Sequence, residues 1–230
     1  ETITVEQLRE WKSEHPDAVV VAYVNTSAAV KAESDICCTS SNAVEVVRSI
    51  PDGREVLFLP DFFLGSHVAR ETGRKIEIWM GECHVHAGID PSQLRRKAAE
   101  NPDATLLIHP ECGCTSSAIY LLGTGELPAD RTKVLSTGSM VESAKSLEGT
   151  ALVATETGII HQLERTNPKV RFEAVNPEAI CQYMKMITPE KLLTSLRENR
   201  FPVEVEEGVR VRAESAVRRM VSIGSPGGGE

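Results

Sequence analysis

The most constraining feature of this sequence is an internal repeat. A shift of 86 residues superposes two stretches that each combine a helix-start pattern with a following apolar run. The matched positions include Ile3 with Ile89, Gln7 with Gln93, Leu8 with Leu94, and the Pro-Asp-Ala of 16–18 with that of 102–104. Self-similarity at a fixed period indicates two copies of one supersecondary unit. The chain is therefore predicted to contain two related domains in tandem.

Each copy opens with the signals of a helix start. Thr4 is predicted to cap the first helix, with Gln7 as its capping-box partner and Val5 as the first helical residue. Asp90 takes the capping position in the second copy. Pro91 is then the first helical residue, where its missing N–H costs nothing. These local signals predict that both copies begin in the same way.

Strands and helices alternate after each opening helix. The runs at 19–24 and 105–108 are continuously apolar, which is typical of strands covered on both faces by helices. Further strands are predicted at 35–38, 56–59 and near Ile76 in the first copy, and at 133–135, 152–154 and near Val170 in the second. Alternating β/α order implies a parallel sheet between helix layers.

The repeat also sets the predicted domain boundaries. We predict an α/β fold with two pseudo-equivalent αβα three-layer domains, at 1–84 and 85–181, each built on a parallel sheet. A C-terminal helical segment follows at 182–230 and belongs to neither repeat. In that segment Thr188 is predicted to cap one helix, and Met220 lies in a second helix.

Charge and cysteine content narrow the function classes. The 230 residues include 25 Lys and Arg against 33 Asp and Glu, with no block of like charge, which argues against nucleic acid and acidic membranes as partners. The apolar run at 19–24 is too short to span a bilayer, and no basic-then-apolar targeting segment opens the sequence. Six cysteines, with Cys37 and Cys38 adjacent, do not resemble a secreted disulfide framework. A cytoplasmic protein with reduced thiols or metal-ligating cysteines is expected.

Polar pairs follow the first strand of each copy at matched positions. Tyr23 and Asn25 follow the first apolar run, and His109 and Glu111 occupy the same places 86 residues later. Any one of them could be an ordinary strand-end polar residue, but matched pairs favour a site, since α/β sheets bind ligands at the carboxyl ends of their strands. A carboxylate and a histidine suit proton transfer, and a phenol and an amide suit binding of a carbonyl or carboxylate group.

Ser40 and Thr137 occupy matched positions at predicted helix starts. They could simply cap their helices. The exposed N–H groups of a helix start, together with a hydroxyl, also suit an anion. Two such starts facing each other would suit a phosphate or a dicarboxylate.

Cys83 and Cys181 follow the last strand of their respective copies. They are either two buried thiols or one thiol per repeat converging on a shared axis. Subtracting the 86-residue period from Cys83 gives a position just upstream of Glu1. A third equivalent cysteine and a further β/α repeat are therefore expected there.

The remaining cysteines and two histidines allow more than one interpretation. Cys37 and Cys38 fall in a short strand and are interpreted as core residues. The pair formed by Cys112 and Cys114 lies near the predicted site, so a metal or redox role stays open. His84 and His86, which follow Cys83, could flank a metal cluster or lie on the surface.

Several motifs in sequence order give the chain a resemblance to the quinolinate synthase family between Tyr23 and about Leu196. They are Tyr-Val-Asn-Thr-Ser at 23–27, Cys-Thr-Ser-Ser-Asn-Ala-Val-Glu-Val-Val at 38–47, Leu-Pro-Asp at 59–61, Gly-Glu-Cys-His-Val-His at 81–86, His-Pro-Glu-Cys at 109–112, Ser-Thr-Gly-Ser-Met at 136–140, Thr-Glu-Thr-Gly at 155–158 and Cys-Gln-Tyr-Met-Lys at 181–185. The resemblance implies a transferase of NAD biosynthesis that condenses iminoaspartate with dihydroxyacetone phosphate to quinolinate, releasing phosphate and water. L-aspartate oxidase is a candidate supplier of iminoaspartate.

The resemblance also implies three pseudo-equivalent αβα domains around a [4Fe–4S] cluster held by three cysteines. Carried over by motif, Cys83 and Cys181 resemble two of these ligands, and Glu111 resembles the acid/base residue. The residues that resemble those around the substrate are Tyr23, Asn25, Ser40, His109, Glu111 and Thr137. The family's first domain, with its own cluster cysteine, has no counterpart in these 230 residues, so a labile or absent cluster is expected for this chain alone.

A second hypothesis comes from a different functional class. The chain could be a non-catalytic two-domain module that binds a phosphorylated metabolite in its cleft and keeps its cysteines as plain thiols. The colour and iron content of anaerobically purified protein separate the two hypotheses.

Overall fold

A computed structural model describes residues 2–113, 115, 118 and 127–223. The first repeat comprises, in order, α1 (Val5–Glu14), β1 (Val19–Tyr23), α2 (Ala28–Ala32), β2 (Ile36–Cys38), α3 (Ala43–Arg48), β3 (Val56–Leu59), α4 (Phe62–Thr72) and β4 (Glu77–Ile78). The second comprises α5 (His84–Ala87), α6 (Pro91–Glu100), β5 (Thr105–Ile108), β6 (Thr132–Val134), α7 (Thr137–Ala144), β7 (Thr150–Ala154), α8 (Ile159–Thr166) and β8 (Arg171–Ala174). The tail contains a 3₁₀ turn (Met184–Met186), α9 (Pro189–Glu198) and α10 (Glu207–Val221).

The two repeats form two sheets with the same strand order. The first sheet runs β2-β1-β3-β4 and the second runs β6-β5-β7-β8. Every pairing between these strands is parallel. The predicted α/β class is confirmed, and β1 and β5 hold equivalent places inside their sheets. From the sequence, Gly123 and Gly125 are predicted to lie in a loop that lengthens the second copy, and both fall outside the described residues.

The matched helix starts have the predicted chemistry. The Thr4 hydroxyl accepts a hydrogen bond from the Gln7 backbone N–H, and the Gln7 side chain accepts one from the Thr4 N–H. Asp90 and Gln93 form the same reciprocal pair at the start of α6, with Pro91 as the first helical residue. Both opening helices therefore begin where the local signals predicted.

The two predicted helix caps, Ser40 and Thr137, were wrong by two residues and by one residue. The helix after β2 begins at Ala43, because the Asn42 carboxamide accepts hydrogen bonds from the Thr39 N–H and hydroxyl and closes a turn over 39–42. Ser40 therefore lies within this turn and not at the cap. In the second repeat Ser136 caps α7 and Thr137 is its first helical residue.

The strands supply the core of both domains. All four residues of β3 and the middle residues of β1 and β5 are buried, which follows from helices covering both sheet faces. Cys37 and Cys38 are fully buried, so their interpretation as core residues is confirmed. No described helix is both long enough and apolar enough to cross a membrane.

The tail contacts the first domain through its second helix. Ala216 and Met220 of α10 pack with Cys37, and the Asn42 side-chain amide donates to the backbone carbonyls of Met220 and Ile223. The first helix of the tail, α9, exposes its apolar residues Leu192, Leu193 and Leu196. Both tail helices predicted from the sequence are present, with Thr188 as the cap of α9.

Candidate active site

The carboxyl ends of β1 and β5 bring residues of both repeats together. Tyr23 is the last residue of β1, and His109 follows β5 directly. The Tyr23 phenol lies beside the Glu111 carboxylate and the Ser40 hydroxyl. Burial first, and then the Glu111 charge, raise the pKa of Tyr23 far above its ordinary value. The phenol therefore stays protonated and can act as a hydrogen-bond donor near neutral pH.

Two histidines stack at the end of β5. The rings of His86 and His109 lie 4.7 Å apart between centroids and are tilted by only 14°. His86 Nε2 is 2.8 Å from the Thr155 hydroxyl, and the Glu111 backbone N–H donates to His109 Nδ1 at 3.4 Å. Burial lowers the pKa of His86 to about 4 and that of His109 to about 3. Both imidazoles are therefore neutral at pH 7, each with one donor and one acceptor nitrogen.

Glu111 is a buried carboxyl group that can exchange a proton near neutral pH. Burial, followed by the nearby Asp61 charge, raises the pKa of Glu111 to about 7, and a hydrogen bond with Tyr23 opposes this shift. Its Oε2 atom lies 3.3 Å from His86 Nδ1. Among the described residues, Glu111 Oε1 and His86 Nδ1 have no hydrogen-bond partner of acceptable geometry. Such orphaned buried atoms are expected where a further group is to be bound.

Cys83 belongs to the same cluster of side chains. One ligand atom each from Cys83, His86 and Glu111 lies within 4.8 Å of the others, an arrangement that could hold a metal ion. Cys83 is a free, partly exposed thiol. The segment that follows the first sheet thus reaches the end of β5 in the second sheet.

Cys181 lies on the same side of the second domain as Cys83. It is also a free, partly exposed thiol, and both cysteines pack against one apolar cluster that includes Val85 and Ala179. The His84 ring meets the Tyr183 ring edge-on at 5.6 Å between centroids, which joins the neighbours of the two cysteines.

Three sequence-predicted residues lie less centrally. Asn25 is exposed, and Thr137 is exposed at the first turn of α7. Ser40, besides its position near Tyr23, lines a cavity of about 570 Å³ together with Arg48 of the first domain and Val134 of the second. That cavity lies between the two domains.

Sequence reasoning missed part of this arrangement. The sequence alone did not decide whether His86 belongs to the site or lies on the surface, and it did not indicate Thr155. In the structure the Thr155 hydroxyl, just after β7, contacts His86 although 69 residues separate them in sequence. The available signal was the position of His86 three residues after Cys83, which is one helical turn. His84 is exposed. Cys112 is buried and disulfide-bonded, and Cys114 lies outside the described residues.

Comparisons of this chain with a family model and with known proteins agree on one family. Residues 1–222 match the family model described as quinolinate synthetase A protein, NadA. The whole chain is 59% identical to the quinolinate synthase of Mycobacterium sp. strain KMS and spans 69% of that protein. It is 58% identical to the quinolinate synthase of Mycobacterium tuberculosis strain H37Rv, of which it spans 66%.

Proposed function

Because the chain belongs to the quinolinate synthase family, we propose that it forms the catalytic part of an enzyme that condenses iminoaspartate with dihydroxyacetone phosphate. The products are quinolinate, phosphate and water. The observation that carries this proposal is the meeting of Tyr23 and Ser40 from the first repeat with Glu111 from the second. A site shared by two domains is a common place for a small-molecule substrate.

The donor groups fit the [4Fe–4S] cluster that the family implies. Cys83 and Cys181 are free, partly exposed and packed against one apolar cluster, and thiolates are the usual ligands of such clusters. The side chains of His86 and Glu111, which carry the orphaned Nδ1 and Oε1 atoms, lie next to Cys83. A third cysteine is expected from the sequence before Glu1. When bound, the cluster would supply an iron that acts as a Lewis acid toward a substrate oxygen.

Glu111 acts as the general acid and base in this proposal. Its carboxyl group is buried and its pKa is raised to about 7, so both protonation states are populated near neutral pH. That balance suits a group that removes a proton in one step of the condensation and returns it in another. Its orphaned Oε1 is available to the substrate.

The histidines and Tyr23 orient the substrate. His86 and His109 are neutral and stacked, so each can donate to one polar atom and accept from another without adding charge. Tyr23 donates its phenolic hydrogen to a carbonyl or carboxylate oxygen. Ser40, Thr137 and Asn25 contribute hydroxyl and amide groups to the anionic parts of the substrates. The proposed setting is the cytoplasm, with L-aspartate oxidase as the supplier of iminoaspartate.

The test uses the full-length protein, purified without oxygen. Quinolinate should form from iminoaspartate and dihydroxyacetone phosphate, and the protein should contain about four irons per chain. An iron-free protein that binds dihydroxyacetone phosphate and forms no quinolinate would overturn the proposal. It would instead support a two-domain module that binds a phosphorylated metabolite and keeps its cysteines as plain thiols.

A further inference from the structure

Two buried carboxylates occupy equivalent places next to the two partly exposed cysteines. Asp61 lies two residues after the end of β3, and Glu156 lies two residues after the end of β7. Their exposed fractions are 5% and 8%. Neither is needed as the acid or base of the proposed reaction, so their burial calls for another explanation.

Asp61 joins a helix start to Cys83. Its Oδ1 atom accepts a hydrogen bond from the Leu64 N–H at 2.7 Å and thereby caps α4. Its Oδ2 atom accepts one from the Cys83 N–H at 3.1 Å. Cys83 is the N-cap residue of the four-residue α5 and has no side-chain capping bond of its own. The bond from Asp61 is therefore a main restraint on the backbone at Cys83.

Glu156 makes the matching contacts in the second repeat. Its Oε2 atom accepts from the Gly158 N–H at 2.7 Å, just before α8. Its Oε1 atom accepts from the Cys181 N–H at 3.3 Å and lies 3.2 Å from Lys185 Nζ. One carboxylate thus bridges a helix start and a cysteine in each repeat.

The backbone around each bridge is also repeated. The Phe62 N–H donates to the Gly81 carbonyl at 2.7 Å, and the Thr157 N–H donates to the Ala179 carbonyl at 2.9 Å. In both cases the donor follows the carboxylate residue and the acceptor lies two residues before the cysteine. A Cβ at Gly81 would come within 2.4 Å of the Pro60 carbonyl, so this close approach requires glycine.

We propose that Asp61 and Glu156 are positioning residues that hold the backbones of Cys83 and Cys181 so that both thiolates face one cluster. This inference rests on the proposed function, in which the two cysteines are cluster ligands. Hydrogen bonds from a backbone N–H to a carboxylate are stronger than those to a neutral acceptor. Groups that orient metal ligands commonly contribute 10–100-fold to metal affinity. The carboxylates themselves do not bind the iron.

The structure offers substitutions that separate this role from helix capping. Asp61→Ser keeps a good capping hydroxyl for α4 but is too short, with its single oxygen, to serve Cys83 as well. Glu156→Gln keeps the shape of the side chain but has one carbonyl oxygen for two N–H donors. Asp90→Ser is the matched control. It makes the same change at the start of α6, where the carboxylate bonds to the Ser92 N–H.

The experiment loads each full-length variant with iron and sulfide without oxygen and follows the visible absorbance after a chelator is added. Asp61→Ser and Glu156→Gln should lose the cluster about 10-fold faster than the wild type. At equal cluster content, the electron paramagnetic resonance spectrum of the reduced cluster should change in both variants. Asp90→Ser should match the wild type in both measurements.

Three outcomes count against the inference. Wild-type rates and an unchanged spectrum in both Asp61→Ser and Glu156→Gln, with the wild type fully loaded, would overturn it and leave the proposed function intact. Equally fast loss in Asp90→Ser would also overturn it, since general loosening would then explain the effect. A wild-type protein that takes up no iron would overturn the proposed function and this inference together.

Discussion

The ends of β1 and β5 share a scaffold but differ in burial. Tyr23 is half-buried and Asn25 is exposed at the first strand end, whereas His109 and Glu111 are 3% and 6% exposed at the second. Burial moves the pKa of Glu111 to about 7 and keeps His109 neutral. The repeat therefore sets the position of the side chains, and the degree of burial sets their chemistry.

The source of the difference is the segment that follows each sheet. After the first sheet, α5 covers the end of β5, with His86 stacked on His109. The equivalent segment after the second sheet leaves Tyr183, Met184 and Met186 exposed. One strand end is thus enclosed by the segment that joins the two sheets, and this enclosure allows a carboxyl group to transfer protons near pH 7.

The largest expected effect comes from replacing the acid/base residue. Glu111→Gln keeps the shape of the side chain and removes the proton acceptor, so turnover in the cluster-loaded full-length enzyme should fall by about 100-fold or more. Substrate binding should weaken less. Asn25→Ala at the equivalent position should instead raise KM and largely spare kcat. Near-normal turnover of Glu111→Gln at equal iron content would contradict the proposal that the end of β5 supplies the chemistry and the end of β1 supplies binding.

The burial of Glu111 should also appear in the pH dependence of stability. Its pKa is raised from 4.5 to about 7, so the folded state holds the proton more tightly than the unfolded state. This contribution to stability is complete below pH 4.5 and is lost as pH rises through 7. Between pH 5 and pH 7 the unfolding free energy of iron-free wild type should fall by about 2 kcal/mol more than that of Glu111→Gln.

Urea unfolding of both iron-free proteins at several pH values measures this difference. His86 and His109 titrate in both proteins, so their contributions cancel in the comparison. Parallel stability curves for the two proteins would show that Glu111 is not enclosed as described.

Smaller effects are expected at the two hydroxyl positions. Ser40→Ala and Thr137→Ala each remove one hydrogen-bonding group, so substrate affinity should fall by about 10-fold while turnover at saturation is largely kept. Steady-state kinetics with each substrate varied in turn separates the two quantities. A fall in kcat with unchanged KM would assign these residues to the chemistry and not to binding.

The smallest effect concerns the repeated helix starts. Thr4→Ala and Asp90→Ala each remove one half of a capping box that is the same in both copies. Each should lower the midpoint of thermal unfolding by about 2 °C. Calorimetry of the iron-free protein measures both. A clearly larger effect at only one of the two sites would show that the copies depend differently on their opening helices.

Most of the fold was predictable because its signals are local. The capping residues Thr4 and Asp90 and the continuous apolar runs are short-range patterns, and the repeat reinforced each of them. The start of α3 was misplaced because the Asn42 side chain closes a turn that competes with the cap predicted at Ser40. Neighbouring hydroxyl residues made that choice ambiguous from sequence alone.

The site was predictable only in part because it depends on contacts between distant segments. The match between the two repeats was enough to predict that Tyr23 and Glu111 lie close together. Nothing local indicated that Thr155 would hold His86, or that Asp61 would reach Cys83 across 22 residues. These contacts exist only after the sheets have formed and their carboxyl ends have met. The sharing of one cluster by Cys83 and Cys181 stays a prediction.

The central claim is that two repeats present their equivalent ends to one cluster and one substrate. The most direct measurement is the crystal structure of the cluster-loaded full-length protein, with the irons located by anomalous scattering. We predict that the sulfur atoms of Cys83 and Cys181 bind the same cluster and that Glu111 faces it. Sulfur atoms more than roughly 10 Å apart, or irons bound to only one of the two cysteines, would contradict it.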